Sequence, residues 1–247
     1  KARYIKIWVD MNYIFPYNTD GIDISGKNVH IHDINISNYD DSICIKPLRN
    51  NSSVLDNTIM NCSENIIIEN INVYAGVGLS IGSVSSTKQN CIRNVTFQNI
   101  IANNPIKFIY IKTGGIDNTY IDAIIENITY RNMTSYNAIL WNIYIGPQQQ
   151  KEPDGTGDGI WPNVNPYVTI RNILLENVYA ENPYSSPGVI RCDISNPCEN
   201  ITFNNVKINN NNNNNNRSYI CSDKGSIKGT YDNNTKPGLK KCGFLNI

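Results

Sequence analysis

Three aspartates carry most of the chemistry this chain could do. Asp20 lies in Asn18-Thr19-Asp20-Gly21, and the adjacent pair Asp40-Asp41 follows twenty residues later. An apolar alternation comes after each, Ile22-Asp23-Ile24 and then Ile43-Cys44-Ile45. If those alternations are neighbouring strands of one repeat, the three carboxyls face the same way. Repulsion among them raises at least one pKa, so that one carboxyl stays protonated while others remain ionised. An acid beside a base is the equipment of glycoside hydrolysis, in which one carboxyl protonates the leaving oxygen and another activates water or attacks.

The repeat that must gather these acids runs through the chain. The alternation returns as Leu79-Ser80-Ile81, Ile109-Tyr110-Ile111 and Ile139-Leu140-Trp141. A second signature precedes almost every copy, an Asn followed by branched residues: Asn28-Val29-His30-Ile31, Asn65-Ile66-Ile67-Ile68, Asn94-Val95-Thr96-Phe97, Asn127-Ile128-Thr129-Tyr130 and Asn200-Ile201-Thr202-Phe203. Period-two runs broken by Asn, Asp, Gly and Pro mark strands, and helical periodicity is nearly absent. The Asn-Gly and Asp-Gly pairs of tight hairpins are rare, so the units read as solenoid rungs that must stack to bury their faces. Stacked rungs place parallel strands about 4.8 Å apart. The expectation is an all-β chain, one parallel β-helix domain over 1–247, with core rungs from about 18 to 210. Residues 211–247 then cap the open strand edges. Tyr4 to Val9 reads as the remnant of an earlier rung, and Lys1 opens the sequence without a signal segment, which points to a leader or further rungs upstream.

Composition narrows the function classes. Charged residues make up 17% and the net charge is zero, which argues against a nucleic-acid partner. No run approaches the roughly 18 apolar residues of a membrane span. Seven cysteines suggest an oxidising compartment and secretion. Cys192 pairs with Cys198 and Cys221 with Cys242 in this reading, while Cys62 and Cys91 stay open and Cys44 is a candidate buried thiol. Asn-X-Ser/Thr sites at Asn35, Asn51, Asn61, Asn94, Asn127, Asn132, Asn200 and Asn233 are glycosylation acceptors in a secreted protein, or asparagines stacked rung on rung. Gln148 to Asn165 reads as a loop folded over one side of the coil, and the asparagine run 209–216 as a disordered loop.

Four motifs in order, Asn18-Thr19-Asp20-Gly21, Asp40-Asp41 leading into Ile43-Cys44-Ile45-Lys46, Gly76-Val77-Gly78-Leu79-Ser80-Ile81-Gly82-Ser83, and Ile111-Lys112-Thr113, resemble the polygalacturonase family, glycoside hydrolase family 28. The resemblance covers roughly Asn18 to Asn205. It implies a single-stranded right-handed parallel β-helix, secretion, a pectic polysaccharide substrate, and hydrolysis with inversion that needs neither metal nor organic cofactor. It makes Asp40 the general acid and Asp20 and Asp41 the pair that holds and deprotonates water. Lys112 resembles the lysine that grips a substrate carboxylate, Tyr144 a substrate-contacting tyrosine, and Asn18 a support of the acidic cluster. Val77, in Gly76-Val77-Gly78, stands where the family has a histidine, and Tyr110 where it has a carboxylate-binding arginine. A phenol cannot replace an arginine fork. Both changes resemble the branch that acts on rhamnogalacturonan or removes galacturonate from chain ends, and they place Tyr110, Val77 and Gly78 in the substrate site.

Other groups weigh less. His30 and His32 read as a surface pair, since no further ligand stands at metal-binding spacing. Glu126, Glu176 and Glu199 read as solvated. Trp141 is either core or a sugar platform, and Trp161 in the loop is the better platform. Ser80 lacks a nearby histidine and a strained elbow, which removes serine-hydrolase chemistry. The rivals are an exo-glycosidase on another sugar and a carbohydrate-binding solenoid without turnover. In either case the chain is expected to act as a monomer.

Overall fold

The computed structural model describes residues 2–8, 18–48, 62–87, 90–117, 123–149, 163–185, 187–209, 218–222 and 224–247. In chain order its strands are β1 (Ala2–Arg3), β2 (Lys6–Trp8), β3 (Ile22–Ile24), β4 (Lys27–Asn38), β5 (Asp41–Ile45), β6 (Cys62–Ala75), β7 (Gly78–Val84), β8 (Cys91–Asn103) and β9 (Lys107–Thr113). There follow β10 (Ala123–Tyr136), β11 (Trp141–Gln148), β12 (Val168–Glu181), β13 (Gly188–Ile190), β14 (Cys198–Asn209), β15 (Ile220–Cys221), β16 (Ile227–Tyr231) and β17 (Leu245–Asn246). One sheet runs β1-β4-β6-β8-β10-β12-β14-β16-β17, with β2 also on β4, and the other runs β15-β13-β11-β9-β7-β5-β3. Neighbours in both sheets are parallel, so the chain coils, crossing from the long sheet to the short one once per rung. This is a parallel β-helix.

The inward residues explain the coil. Ile43 and Ile45 pair with Leu79 and Ile81 on the short sheet. Inside, they join Ile66, Ile68 and their successors from the long sheet in one core. Each long strand is bent, and the recurring Asn does the bending. Asn28, Asn65, Asn94, Asn127, Asn172 and Asn200 all sit at φ between 52° and 57°, the left-handed region that Asn tolerates better than other side chains. Sequence reading placed these asparagines ahead of strands, but they lie within or beside continuous ladders. Each side-chain amide donates to the one on the preceding rung, at 2.9–3.2 Å across separations of 28 to 45 residues. A second row at Asp33, Asn70, Asn99, Asn132, Asn177 and Asn205 repeats the device; of these, sequence had offered stacking for Asn132 alone.

Next to the first row, register lines up Lys27, Glu64, Arg93, Glu126, Arg171, Glu199 and Lys228 in strict charge alternation. Glu126 and Glu176 therefore bind Arg171 and Arg131 with little exposure, whereas Glu199, bonded to Lys228, remains solvated with its side chain 51% exposed. His32 is buried against Asp33, whereas the His30 side chain, bonded to Glu69, is 37% exposed, so the surface reading holds for His30 and not for His32. Among the short-sheet strands, β11 begins at Trp141, and its inward residues are Ile143 and Ile145; Ile139 is 48% exposed. The turn at Asn137 (φ 55°) shifts the alternation past the apolar run that sequence favoured.

Disulfides join Cys192 to Cys198 and Cys221 to Cys242, and Cys62 to Cys91 across adjacent rungs. Cys44 is a buried free thiol. The stack also continues past 210, because β15, β16 and β17 extend the two sheets. Trp161, residues 150–162 of the loop, residues 210–216 of the asparagine run, and the sequons Asn51 and Asn61 lie outside the described residues.

Candidate active site

The acids are gathered by the short sheet. With Ile22 opposite Ile43 and Ile24 opposite Ile45, the residues just before β3 and at the start of β5 must meet. Gly21 N–H donates to the Asp41 carbonyl at 2.8 Å, and a Cβ on Gly21 would collide with the Ser42 carbonyl. Asn38, fully buried, ties the corner together. Its Nδ2 contacts the carbonyls of Thr19, Asp40 and Asp41 at 2.8–3.0 Å, and its Oδ1 accepts from Ser42 Oγ at 2.9 Å. The following rung holds the same corner through Val77 N–H, which donates to the Asp40 carbonyl at 2.7 Å.

Carboxylate oxygens of Asp20, Asp40 and Asp41 consequently lie within 4.8 Å of one another. They differ in surroundings. Asp20 and Asp40 are half-buried, whereas Asp41 is 1% exposed. Burial pushes Asp41 up, but the Lys112 charge and hydrogen bonds from Lys112 Nζ (2.6 Å) and Ser80 Oγ (2.6 Å) outweigh it and hold its pKa below the ordinary value. Asp20 is raised to about 6, by burial first and then by the charges of Asp40 and Asp41. Asp40 accepts two backbone N–H groups, from Asp41 on Oδ1 (2.9 Å) and from Asn18 on Oδ2 (3.0 Å). The arrangement keeps one carboxylate ionised and gives another a proton at mildly acidic pH.

The remaining sequence candidates take varied places. Lys112 is 2% exposed, and its amine is held by Asp41 rather than standing open in a groove. Tyr144 is fully buried; its hydroxyl donates to the Gln148 carbonyl at 3.0 Å. Tyr110 meets Tyr144 edge-on at 4.9 Å, and Trp141 joins their cluster with Val77, so its ring is core to this wall. Gly78 pairs with Asp41 at φ 105°, where a Cβ would meet the Lys107 and Phe108 carbonyls. Asn18, exposed, touches the cluster through its backbone N–H.

Asn38, Ser80 and Lys107 were missed as parts of the site. Lys107 is 1% exposed, with its ammonium 4.2 Å from the Tyr110 ring centroid, and Lys112 lies 4.6 Å from the same ring. Register would have placed Ser80 beside Cys44, but nothing local reveals that its hydroxyl turns to Asp41. The three aspartates form the one His, Cys, Asp and Glu group among the described residues with spacing suited to a metal ion, and Lys112 already occupies Asp41 Oδ2.

A parallel β-helix with clustered acids on one wall defines a class, and the comparisons agree. The Glycosyl hydrolases family 28 model matches residues 5–226, and the chain belongs to that family. The chain is 28% identical to "Probable rhamnogalacturonase C" of Aspergillus flavus, over 77% of this chain and 36% of that protein. It is 29% identical to "Polygalacturonase" of Cochliobolus carbonum, over 66% of this chain and 38% of the other. With "Endopolygalacturonase II" of Aspergillus niger it shares 28% identity, over 77% of this chain and 49% of the other. The chain thus matches between about a third and a half of the length of these relatives.

Proposed function

We propose that the protein is an extracellular glycoside hydrolase that cleaves galacturonate-containing linkages of pectin, with rhamnogalacturonan as the favoured substrate. The observation that carries this reading is the acidic cluster, three carboxylates within 4.8 Å of one another with one held ionised by Lys112 and one raised to about 6. Family membership and the names of the relatives support the substrate class. Three disulfides support an extracellular setting.

Asp40, half-exposed and fixed by two backbone donors, is the acid: it takes over the proton that the cluster holds on Asp20 and passes it to the leaving oxygen, which leaves Asp20 ionised beside the water. Asp41 is sealed beneath the wall and cannot touch an anomeric carbon, so it acts through water, with Asp20 on the water's other side. A buried base working through water favours single displacement with inversion. The cluster is tighter than the roughly 6.5 to 9.5 Å usual for inverting carboxyl pairs, so stereochemistry rests on family membership rather than on spacing. Lys112 keeps Asp41 ionised. Tyr110, in the arginine's position and clasped by two lysines, leaves no room for a guanidinium fork, which favours an alternating rhamnose-galacturonate backbone over a pure galacturonate one.

Reducing-sugar release from rhamnogalacturonan, polygalacturonate and a neutral galactan tests this. The wild type releases sugar from rhamnogalacturonan fastest, and Asp40→Asn lowers the rate by about 10²–10⁴-fold without changing the melting midpoint. Unchanged activity in Asp40→Asn removes the proposed acid, and release from the neutral glycan alone removes the pectic assignment.

A further inference from the structure

Outside the acidic cluster, one surface feature has the makings of a ligand site. A mainly apolar groove of about 240 Å³ runs along the long sheet, its lining including Ile7, Ile36 and Val73 as well as Lys6, Trp8 and Tyr74. Trp8 is 66% exposed and Tyr74 54%, while Ser37 between them is only 7% exposed. Trp8 lies on β2 at the edge of the long sheet, and what marks these rings out is that they line up along one face of the coil. Register explains their spacing. Trp8 pairs with Ser37, Ser37 with Tyr74, Tyr74 with Asn103 and Asn103 with Tyr136, so an aromatic recurs on every second rung of one column. Two rungs measure about 9.6 Å. A pyranose ring is about as long as one rung, so an extended glycan laid along the coil brings alternate rings over an aromatic face.

Polar groups border the rings. The Asn72 amide donates to Asn35 Oδ1 at 3.0 Å, and the outward edges of this pair suit sugar hydroxyls. Among the described residues Lys6 is the one charged residue lining the groove, its amine 5.6 Å from the Trp8 ring centroid. One cation among neutral amides and aromatic faces complements a uronate carboxylate. The wall lies one corner away from the acids, since Ser37 is next to Asn38, which closes β4 just before the Asp40-Asp41 turn.

We propose that this wall is a second carbohydrate site that holds an extended acidic glycan by stacking on Trp8 and Tyr74 and by pairing its carboxylate with Lys6. The identity of the glycan as pectic rests on the proposed function; the site itself does not. It would keep the enzyme on a polymer while the cluster around the corner acts.

Native affinity electrophoresis of the full chain through gels containing polygalacturonate or rhamnogalacturonan, in an Asp40→Asn background so that the polymer survives, tests the proposal. Trp8→Ala/Tyr74→Ala is expected to weaken retardation at least about fivefold. Trp8→Tyr keeps most of it, and Lys6→Glu weakens it in acidic gels only. With Asp40 restored, the double variant turns over short oligosaccharides at the wild-type rate. Retardation that ignores Trp8 and Tyr74, or an N-glycan found on Asn35 of the secreted protein and so covering the groove, overturns the proposal. Equal retention on a neutral galactan removes the acidic preference. If the wild type cleaves no pectic polymer yet is held by it through Trp8 and Tyr74, the hydrolase reading fails and the wall site stands.

Discussion

Lys112 Nζ lies 2.6 Å from Asp41 Oδ2, and both side chains are sealed from water, at 3% and 2% exposure. A pair buried this deeply is costly to break from one side, because the remaining charge has no solvent to turn to. Lys112→Met is therefore expected to lower stability by about 3–5 kcal/mol. Asp41→Asn/Lys112→Met recovers most of that loss, because neither charge is left alone. Urea midpoints of the two single variants and the double variant measure the coupling; independent, additive losses would contradict it. The sign with pH follows from the lowered Asp41 pKa: its contribution is full above the ordinary carboxylate value of 3.8 and is lost as pH falls below it.

Asp20 is raised to about 6, so the cluster holds an exchangeable proton below that pH and gives it up above. Hydrolysis needs that proton, and the rate is expected to fall as pH rises through about 6, while Asp41 stays ionised across the window. The limb belongs to the coupled cluster rather than to one residue. Asp20→Asn removes the proton site and should shift the limb as well as reduce the rate. A pH profile of kcat/KM on rhamnogalacturonan decides; a limb that stays near 6 in Asp20→Asn contradicts the assignment.

Tyr110 sits between two ammonium groups, Lys107 at 4.2 Å and Lys112 at 4.6 Å from its ring centroid. The ring face attracts both cations, and a guanidinium would repel both. Restoring an arginine by Tyr110→Arg is expected to destabilise by more than about 3 kcal/mol and to bring no gain on polygalacturonate. Tyr110→Phe keeps both cation contacts and costs far less. Thermal melts and rates on polygalacturonate check both; a stable, faster Tyr110→Arg would show that the phenol is no built part of the wall.

Asn127 holds φ at 56° and belongs to the amide row, donating to Asn94 at 3.0 Å and accepting from Asn172 at 2.9 Å. Alanine there loses both bonds and keeps the left-handed strain, for about 1–3 kcal/mol. Glycine removes the strain but not the lost bonds, so Asn127→Gly is expected to fall between wild type and Asn127→Ala in urea. An alanine variant as stable as the glycine variant would mean that the backbone angle carries no weight here.

The coil and the meeting of the three aspartates were legible because both are local facts repeated. Period-two isoleucines such as Ile22, Ile24, Ile43 and Ile45 mark which face turns inward, and equal spacing of polar residues before them places Asp20 beside Asp40-Asp41. The recurring Asn was visible too, and its stacking rung on rung was one of the two readings offered, but its place within the bent strand was missed, since composition cannot distinguish an asparagine that ends a strand from one that bends it. Ile139-Leu140-Trp141 misled for a similar reason: an apolar run shows that something is buried, not where the chain has turned.

What sequence determined alone was therefore the repeat, the family resemblance and the residue types on the acidic wall, all carried by patterns a few residues long. Tertiary structure decided that burial and neighbouring charges raise Asp20 while Lys112 lowers Asp41 from 71 residues away, and that Cys62 pairs with Cys91 across 29. Those outcomes depend on burial and on distances of a few ångströms between rungs. Electrostatic energy varies steeply with both, and no local spacing encodes either.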